Sequence, residues 1–297
     1  MTRSRPSRRI FAIAAGAVAG LLGLLACAPE KLLDNLSSLR GGDPATQVVN
    51  GAAYGPLARQ KLDVWVPRTK SSAPLPVVVF FYGGGWVKGE RGNYGFAARA
   101  FASRGFVVVV PDYRLVPEVH FPSFIQDGAL AVRWARDHAG EYGGDPQRIL
   151  LSGHSAGAYI SAMLALDRHY LDAVGVDAKA IKGAALLSGP YDFYPFTEQR
   201  WEDALGNWPR PLETQPITFA RKDAPPMLLM HGTADTVVRP YNAENLAAKL
   251  RRLGAPVELK LYSGKSHIDT VKSLSPLFRG STPALDDSIA FFRAHGL

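Results

Sequence analysis

The 297-residue chain has a single cysteine, Cys27. A disulfide within the chain is therefore excluded, and a fold of this size must rest on its apolar core. No H-E-x-x-H segment occurs and no cysteine lies in the body of the chain, so no metal site is expected. Clustered Lys/Arg and known nucleic-acid modules are also missing, which argues against nucleic-acid binding. The net charge of +8 is partly an end effect, because Arg3, Arg5, Arg8 and Arg9 supply four of those charges and residues 1–27 contain no acid. No internal repeat is visible. What remains is an ordinary globular composition, 47% hydrophobic and 20% charged.

The first 27 residues read as an address. A basic stretch, residues 1–9, precedes an apolar stretch, residues 10–26, in the layout of an export signal. Ser7-Arg8-Arg9-Ile10-Phe11 resembles a twin-arginine signal, and Leu24-Leu25-Ala26-Cys27 resembles a bacterial lipobox. The expectation is an exported protein, periplasmic or held at the membrane surface through a lipidated Cys27. A permanent single-pass anchor is the alternative, since the apolar stretch is at the short end for a span. Polar residues 28–46, with Gly and Pro, read as a tether to a domain over 47–297.

Within that domain, alternation over Gln60–Val66 suggests a half-buried strand near a sheet edge. Short apolar runs at Val77–Tyr82, Phe106–Val110, Ile149–Leu151, Ala184–Leu187 and Met227–Met230 suggest strands buried on both faces. Helical spacing lies between them, at Ala97–Ser103, Gln126–His138, Ala156–Leu166 and Ala243–Leu253, and again at Ala284–Arg293. The alternation predicts an α/β fold with a mostly parallel central sheet and helices on both faces. Residues 191–224 break the rhythm with Phe193, Phe196, Trp201 and Trp208; they fit either a small cap or a surface loop.

Gly153-His154-Ser155-Ala156-Gly157 is a G-x-S-x-G motif between a strand-like run and a helix-like one. A serine on that tight turn exposes its hydroxyl, and the flanking glycines avoid collisions. Tyr82-Gly83-Gly84-Gly85-Trp86 follows another core strand, so its backbone N–H groups can approach a negative oxygen. Gly84, Gly85 and Ala156 are the expected oxyanion donors. A serine nucleophile needs a histidine base oriented by a carboxylate. His267 lies in a loop after the strand-like Val257–Leu261, whereas His295 is too near the C-terminus to be held rigidly. Asp235 follows Met227–Met230 and is the expected acid, with Asp192 as runner-up. His154 and His231 adjoin motifs and read as packed residues rather than bases.

Taken together, Gly83–Trp86, Asp112-Tyr113-Arg114-Leu115 with Pro117-Glu118, Gly143–Pro146, Gly153–Gly157, Gly232–Asp235 and His267 resemble the α/β-hydrolase esterases of the hormone-sensitive-lipase, feruloyl-esterase and kynurenine-formamidase-like groups. The resemblance runs from about Lys61 to the C-terminus. It implies the triad Ser155, Asp235 and His267, no cofactor, a small-molecule ester as substrate, and Asp112 with Arg114 as support for the glycine loop. Tyr82 departs from that family pattern, which commonly has histidine there. Amide or peptide cleavage by the same triad, a non-catalytic binding module, and an anchoring lipoprotein are the competing readings. No pattern specifies an oligomeric state.

Overall fold

The computed structural model describes residues 29–39 and 42–295. Cys27 and the export-signal pattern lie outside these residues. Eight strands form one sheet: β1 (Ala45–Ala53), β2 (Lys61–Pro67), β3 (Leu75–Phe81), β4 (Val107–Pro111), β5 (Gly144–His154), β6 (Ile181–Leu187), β7 (Met227–Gly232) and β8 (Val257–Tyr262). Their order is β1-β2-β4-β3-β5-β6-β7-β8. β2 runs antiparallel to both β1 and β4, and every other neighbouring pair is parallel. The valine-rich β4 is buried throughout, as a strand covered on both faces must be.

Seven helices of seven residues or more are described: α1 (Pro29–Leu39), α2 (Gly95–Ala102), α3 (Ser123–His138), α4 (Ala156–Leu166), α5 (Gln199–Leu205), α6 (Tyr241–Leu253) and α7 (Ala284–His295). Adjacent residues of β3 show how they are distributed. Phe80 packs on Phe101 of α2, which packs on Phe292 of α7. Phe81 points the other way, to α3 at Gly128, where a Cβ would press on Ile160 and Leu164 of α4. Successive strand residues face opposite sides, so α2 and α7 cover one face and α3 and α4 the other. This is the α/β-hydrolase architecture. Every residue of α4 is buried, which explains its apolar sequence on all sides.

The chain leaves β3 toward β4 on one side and returns to β5 on the other. That reversal opens a crevice at the carboxyl ends of β3 and β5, where α/β sheets place their ligands. Both sequence motifs, the glycine loop after β3 and the serine after β5, emerge there.

One expectation needs revision, and one open alternative is decided. The stretch 28–46 is not a plain tether, because it contains α1 and the start of β1. Asp34 of α1 pairs with Arg99 of α2 at 2.6 Å, and Ser37 shares a 2.6 Å hydrogen bond with Ser275. These partners are distant in sequence, so composition alone concealed the docking. Residues 191–224 form a compact insertion rather than a surface loop. It contains α5 and two 3-10 turns, with Phe193, Trp201 and Leu205 buried. Phe193 packs on Trp86 of the glycine loop and on Tyr159 of α4, so the insertion caps the crevice side.

Phe292 is fully buried between Phe101 and Phe106. Phe292→Ala should lower unfolding free energy by about 3–5 kcal/mol in a urea melt. A loss near zero would mean that α7 does not seal this face.

Candidate active site

β5 ends at His154 and α4 begins at Ala156, leaving Ser155 alone on the turn with φ 54° and ψ −119°. A side chain rarely adopts this left-handed region, and the strain must be over-determined by surroundings. The surroundings are on both sides. The Ser155 N–H donates to the Leu187 carbonyl of β6 at 2.9 Å. A Cβ at Gly157 would overlap the Phe81 carbonyl, and one at Gly153 would stand 2.6 Å from the Gly157 backbone. Only glycine fits at either place, which lets α4 approach β3 closely enough to hold the turn.

The structure joins the three expected catalytic groups. Ser155 Oγ lies 2.9 Å from His267 Nε2, and His267 Nδ1 lies 2.8 Å from Asp235 Oδ2. With the carboxylate accepting, Nδ1 carries the proton and Nε2 is free to accept from the serine hydroxyl. Asp235 is buried and fully satisfied. Its Oδ1 accepts from the Val237 and Val238 N–H groups, both at 2.9 Å, and its Oδ2 also meets His231 Nε2 at 3.1 Å. Burial pushes its pKa up, but the hydrogen bonds from His231, His267 and Val238 outweigh that and hold it well below the usual carboxylate range. Asp235 is therefore an anion at any working pH.

The expected oxyanion donors lie on the loop after β3 and at the head of α4. Gly84 and Gly85 have φ of 133° and 63°, which suits glycine, and their N–H groups have no acceptor among the described residues. Ala156 heads α4, so its N–H is one of the helix's open first-turn donors. The α4 dipole adds partial positive charge there.

The remaining candidates separate cleanly. Asp192, the runner-up acid, bonds to Asn245 Nδ2 at 2.8 Å. His295 packs at a tilt against Phe291 at the end of α7. His231 is fully buried, donates to the Val238 carbonyl at 2.8 Å and braces Asp235. Asp112 anchors the turn that follows the glycine loop, through Arg91, whose Nη1 lies 2.5 Å from Asp112 Oδ2. Arg114 does not. It forms a bidentate pair with Asp127 and so ties the strand end to α3.

Arg59 was not foreseen. Its guanidinium donates to the Tyr82 hydroxyl and the Gly89 carbonyl, both at 2.8 Å, and to the Tyr113 carbonyl at 2.9 Å. It thus spans both ends of the glycine loop. Tyr82, at the position of the family histidine, stacks on Tyr113 and offers Arg59 an acceptor. Nothing near Arg59 in sequence marks it, because its partners lie 23 to 54 residues away.

His154 is buried, and burial together with the nearby His267 pushes its pKa down from 6.5 to about 3. Between those values the unfolded chain binds a proton that the folded chain does not. Stability should therefore fall as pH drops from 6.5 toward 3. His154→Gln removes this titration, so the wild type should lose stability more steeply across that window, by up to about 1.4 kcal/mol per pH unit. Equal slopes in urea melts would show that His154 is not held neutral.

Known proteins resemble this arrangement. The BD-FAE family model matches residues 62–250. The probable isoprenylcysteine alpha-carbonyl methylesterase ICME of Oryza sativa subsp. japonica is 32% identical over 270 residues, covering 84% of this chain and 64% of that protein. Esterase LipC of Mycobacterium tuberculosis is 32% identical over 219 residues, covering 67% of this chain and 54% of that protein. The chain thus spans about half to two thirds of the length of the curated relatives it matches. Among solved structures, Thermogutta terrifontis esterase 2 superposes with a TM-score of 0.68 at 27% identity, covering 82% of this chain and 94% of that one. A truncated carbohydrate esterase from gut microbiota reaches 0.72 at 21% identity over 85% and 97%, a likeness of fold. Since the matched region runs from β2 into α6 and takes in the glycine loop, the nucleophile turn and Asp235, the chain belongs to the BD-FAE family.

Proposed function

We propose that this protein is a serine carboxylesterase that works through an acyl-enzyme on Ser155. The observation that carries the reading is the continuous relay from Ser155 Oγ through His267 to Asp235, at 2.9 and 2.8 Å. Its relatives and structural neighbours bear esterase names, which supports ester bonds as the target.

The chemistry follows from proton positions. His267 Nε2 takes the Ser155 proton as Oγ attacks the ester carbonyl carbon. The imidazolium that forms is stabilised by the Asp235 anion. The carbonyl electrons move to oxygen, where the N–H groups of Gly84, Gly85 and Ala156 receive the negative charge. The tetrahedral intermediate collapses, His267 gives its proton to the departing alkoxide, and the alcohol leaves. Water repeats the sequence: His267 deprotonates it as its oxygen attacks the acyl carbon, then gives the proton to Ser155 Oγ as the Oγ–acyl bond breaks and the carboxylic acid leaves.

The test is hydrolysis of p-nitrophenyl esters of increasing acyl length by the full chain. Ser155→Ala should reduce kcat by about 10⁴–10⁶-fold. Asp235→Asn, which favours the wrong imidazole tautomer, should cost about 10⁴-fold. Wild-type turnover that survives Ser155→Ala would refute the acyl-enzyme. A folded wild type active on anilides but not on esters would move the reading to amide cleavage.

We also propose export and lipid anchoring through Cys27. The support is the sequence pattern of residues 1–27, a basic start, an apolar stretch and then the only cysteine. Cys27→Ser should shift the protein from the membrane fraction to the soluble one; an unchanged distribution would contradict lipidation.

A further inference from the structure

The mechanism above uses His267 and braces Asp235 with His231, but it gives His154 no task. His154 is the last residue of β5, immediately before the nucleophile. Its ring is buried, 4.8 Å from the His267 ring between centroids and tilted 46° to it. His154 Nε2 lies 3.0 Å from the His267 carbonyl oxygen. A carbonyl can only accept, so the His154 proton sits on Nε2 and is donated to the main chain of the base.

The other edge of the ring faces the glycine loop. A Cβ at Gly83 would stand 2.9 Å from His154 Nδ1 and 3.2 Å from Ser155 Cβ. One side chain therefore lies between three segments: the start of the oxyanion loop, the nucleophile turn and the loop bearing the base. Nδ1 has no partner among the described residues. The ring's directional bond is the one to His267.

That bond matters because His267 does not sit on a regular element. It falls between β8 and the single helical turn Asp269–Lys272. The bonds to Ser155 and Asp235 orient the imidazole, but they do not set where its backbone stands. Thr270 Oγ1 approaches the same carbonyl only at 3.4 Å. A tight bond from the residue next to the nucleophile instead ties the position of the base directly to the position of Ser155.

We propose that His154 is a positioning residue that sets the distance between His267 and Ser155 by holding the His267 carbonyl through Nε2–H. The inference rests on the serine-hydrolase reading of the same site. Its low pKa fits the role: a neutral ring keeps one donor in a fixed tautomer. It also adds no like charge beside His267 when that ring becomes an imidazolium.

The test compares His154→Leu, which removes the donor, with His154→Gln, which keeps an N–H at similar reach, in the full chain. With p-nitrophenyl acetate, His154→Leu should lose about 10–100-fold in kcat, the range expected for a small misplacement of a catalytic group. Its KM should stay within about twofold, since ground-state binding is untouched. His154→Gln should recover most of the loss. The downfield proton resonance of His267 Nδ1–H provides a readout independent of turnover. It should be sharp in the wild type and His154→Gln and broadened or shifted in His154→Leu. A His154→Leu variant with wild-type kcat and an unchanged resonance overturns the proposal, as does a His154→Gln variant as impaired as His154→Leu. If the wild type hydrolyses neither esters nor anilides, the serine-hydrolase reading fails, while the resonance still decides whether His154 places His267.

Discussion

The contact between Gly157 and the Phe81 carbonyl governs the rest of this molecule. With no side chain at Gly157, the first turn of α4 lies directly on the end of β3. Ser155 there takes its left-handed conformation, with its hydroxyl 2.9 Å from His267 Nε2. The same approach brings Gly157 against the Tyr82 carbonyl and Ser155 Cβ against Gly83, so the start of the glycine loop and the nucleophile turn are set together. The strain at Ser155 is affordable because the turn is anchored on both sides, by β3 and by the Leu187 carbonyl of β6.

Charge in the site is handled by satisfaction rather than solvation. Asp235 is buried, yet Oδ1 accepts two backbone N–H bonds and Oδ2 accepts from His267, with His231 Nε2 3.1 Å away. A buried carboxylate so placed remains ionised and pre-oriented. Around the glycine loop the pattern repeats. Arg59 and Arg91 meet carbonyls, a phenol and the carboxylates of Asp63 and Asp112, tying β2, the loop and the end of β4 together. The rigidity that an oxyanion site needs comes from these cross-ties, because three consecutive glycines cannot provide it.

The parts of this design that were legible in sequence are those with a local backbone cause. G-x-S-x-G and the triple glycine mark places where a side chain cannot fit, and the acid and base follow at strand ends. Core strands were legible because β3 and β4 are continuous apolar runs, while β1 was not. Its sequence, Ala-Thr-Gln-Val-Val-Asn-Gly-Ala-Ala, carries two register shifts against β2 and little regular alternation. α1 was hidden by its neighbours in composition, and Arg59 and Arg114 by the distance to their partners. Asp112 and Arg114 stand two residues apart and belong to the same motif, yet one braces the turn after the loop and the other a helix. Both lie past the end of β4, outside the alternation of the strand, so membership of one motif does not decide which way each points.

The central claim is that Ser155 is activated by His267 and is the atom that forms the covalent bond. The most direct measurement is peptide mass spectrometry after treating the full chain with a serine-directed fluorophosphonate. The account predicts one adduct, on Ser155, that forms rapidly in the wild type and is strongly slowed in His267→Ala. An adduct on another serine, or labelling of Ser155 at the same rate without His267, would contradict it.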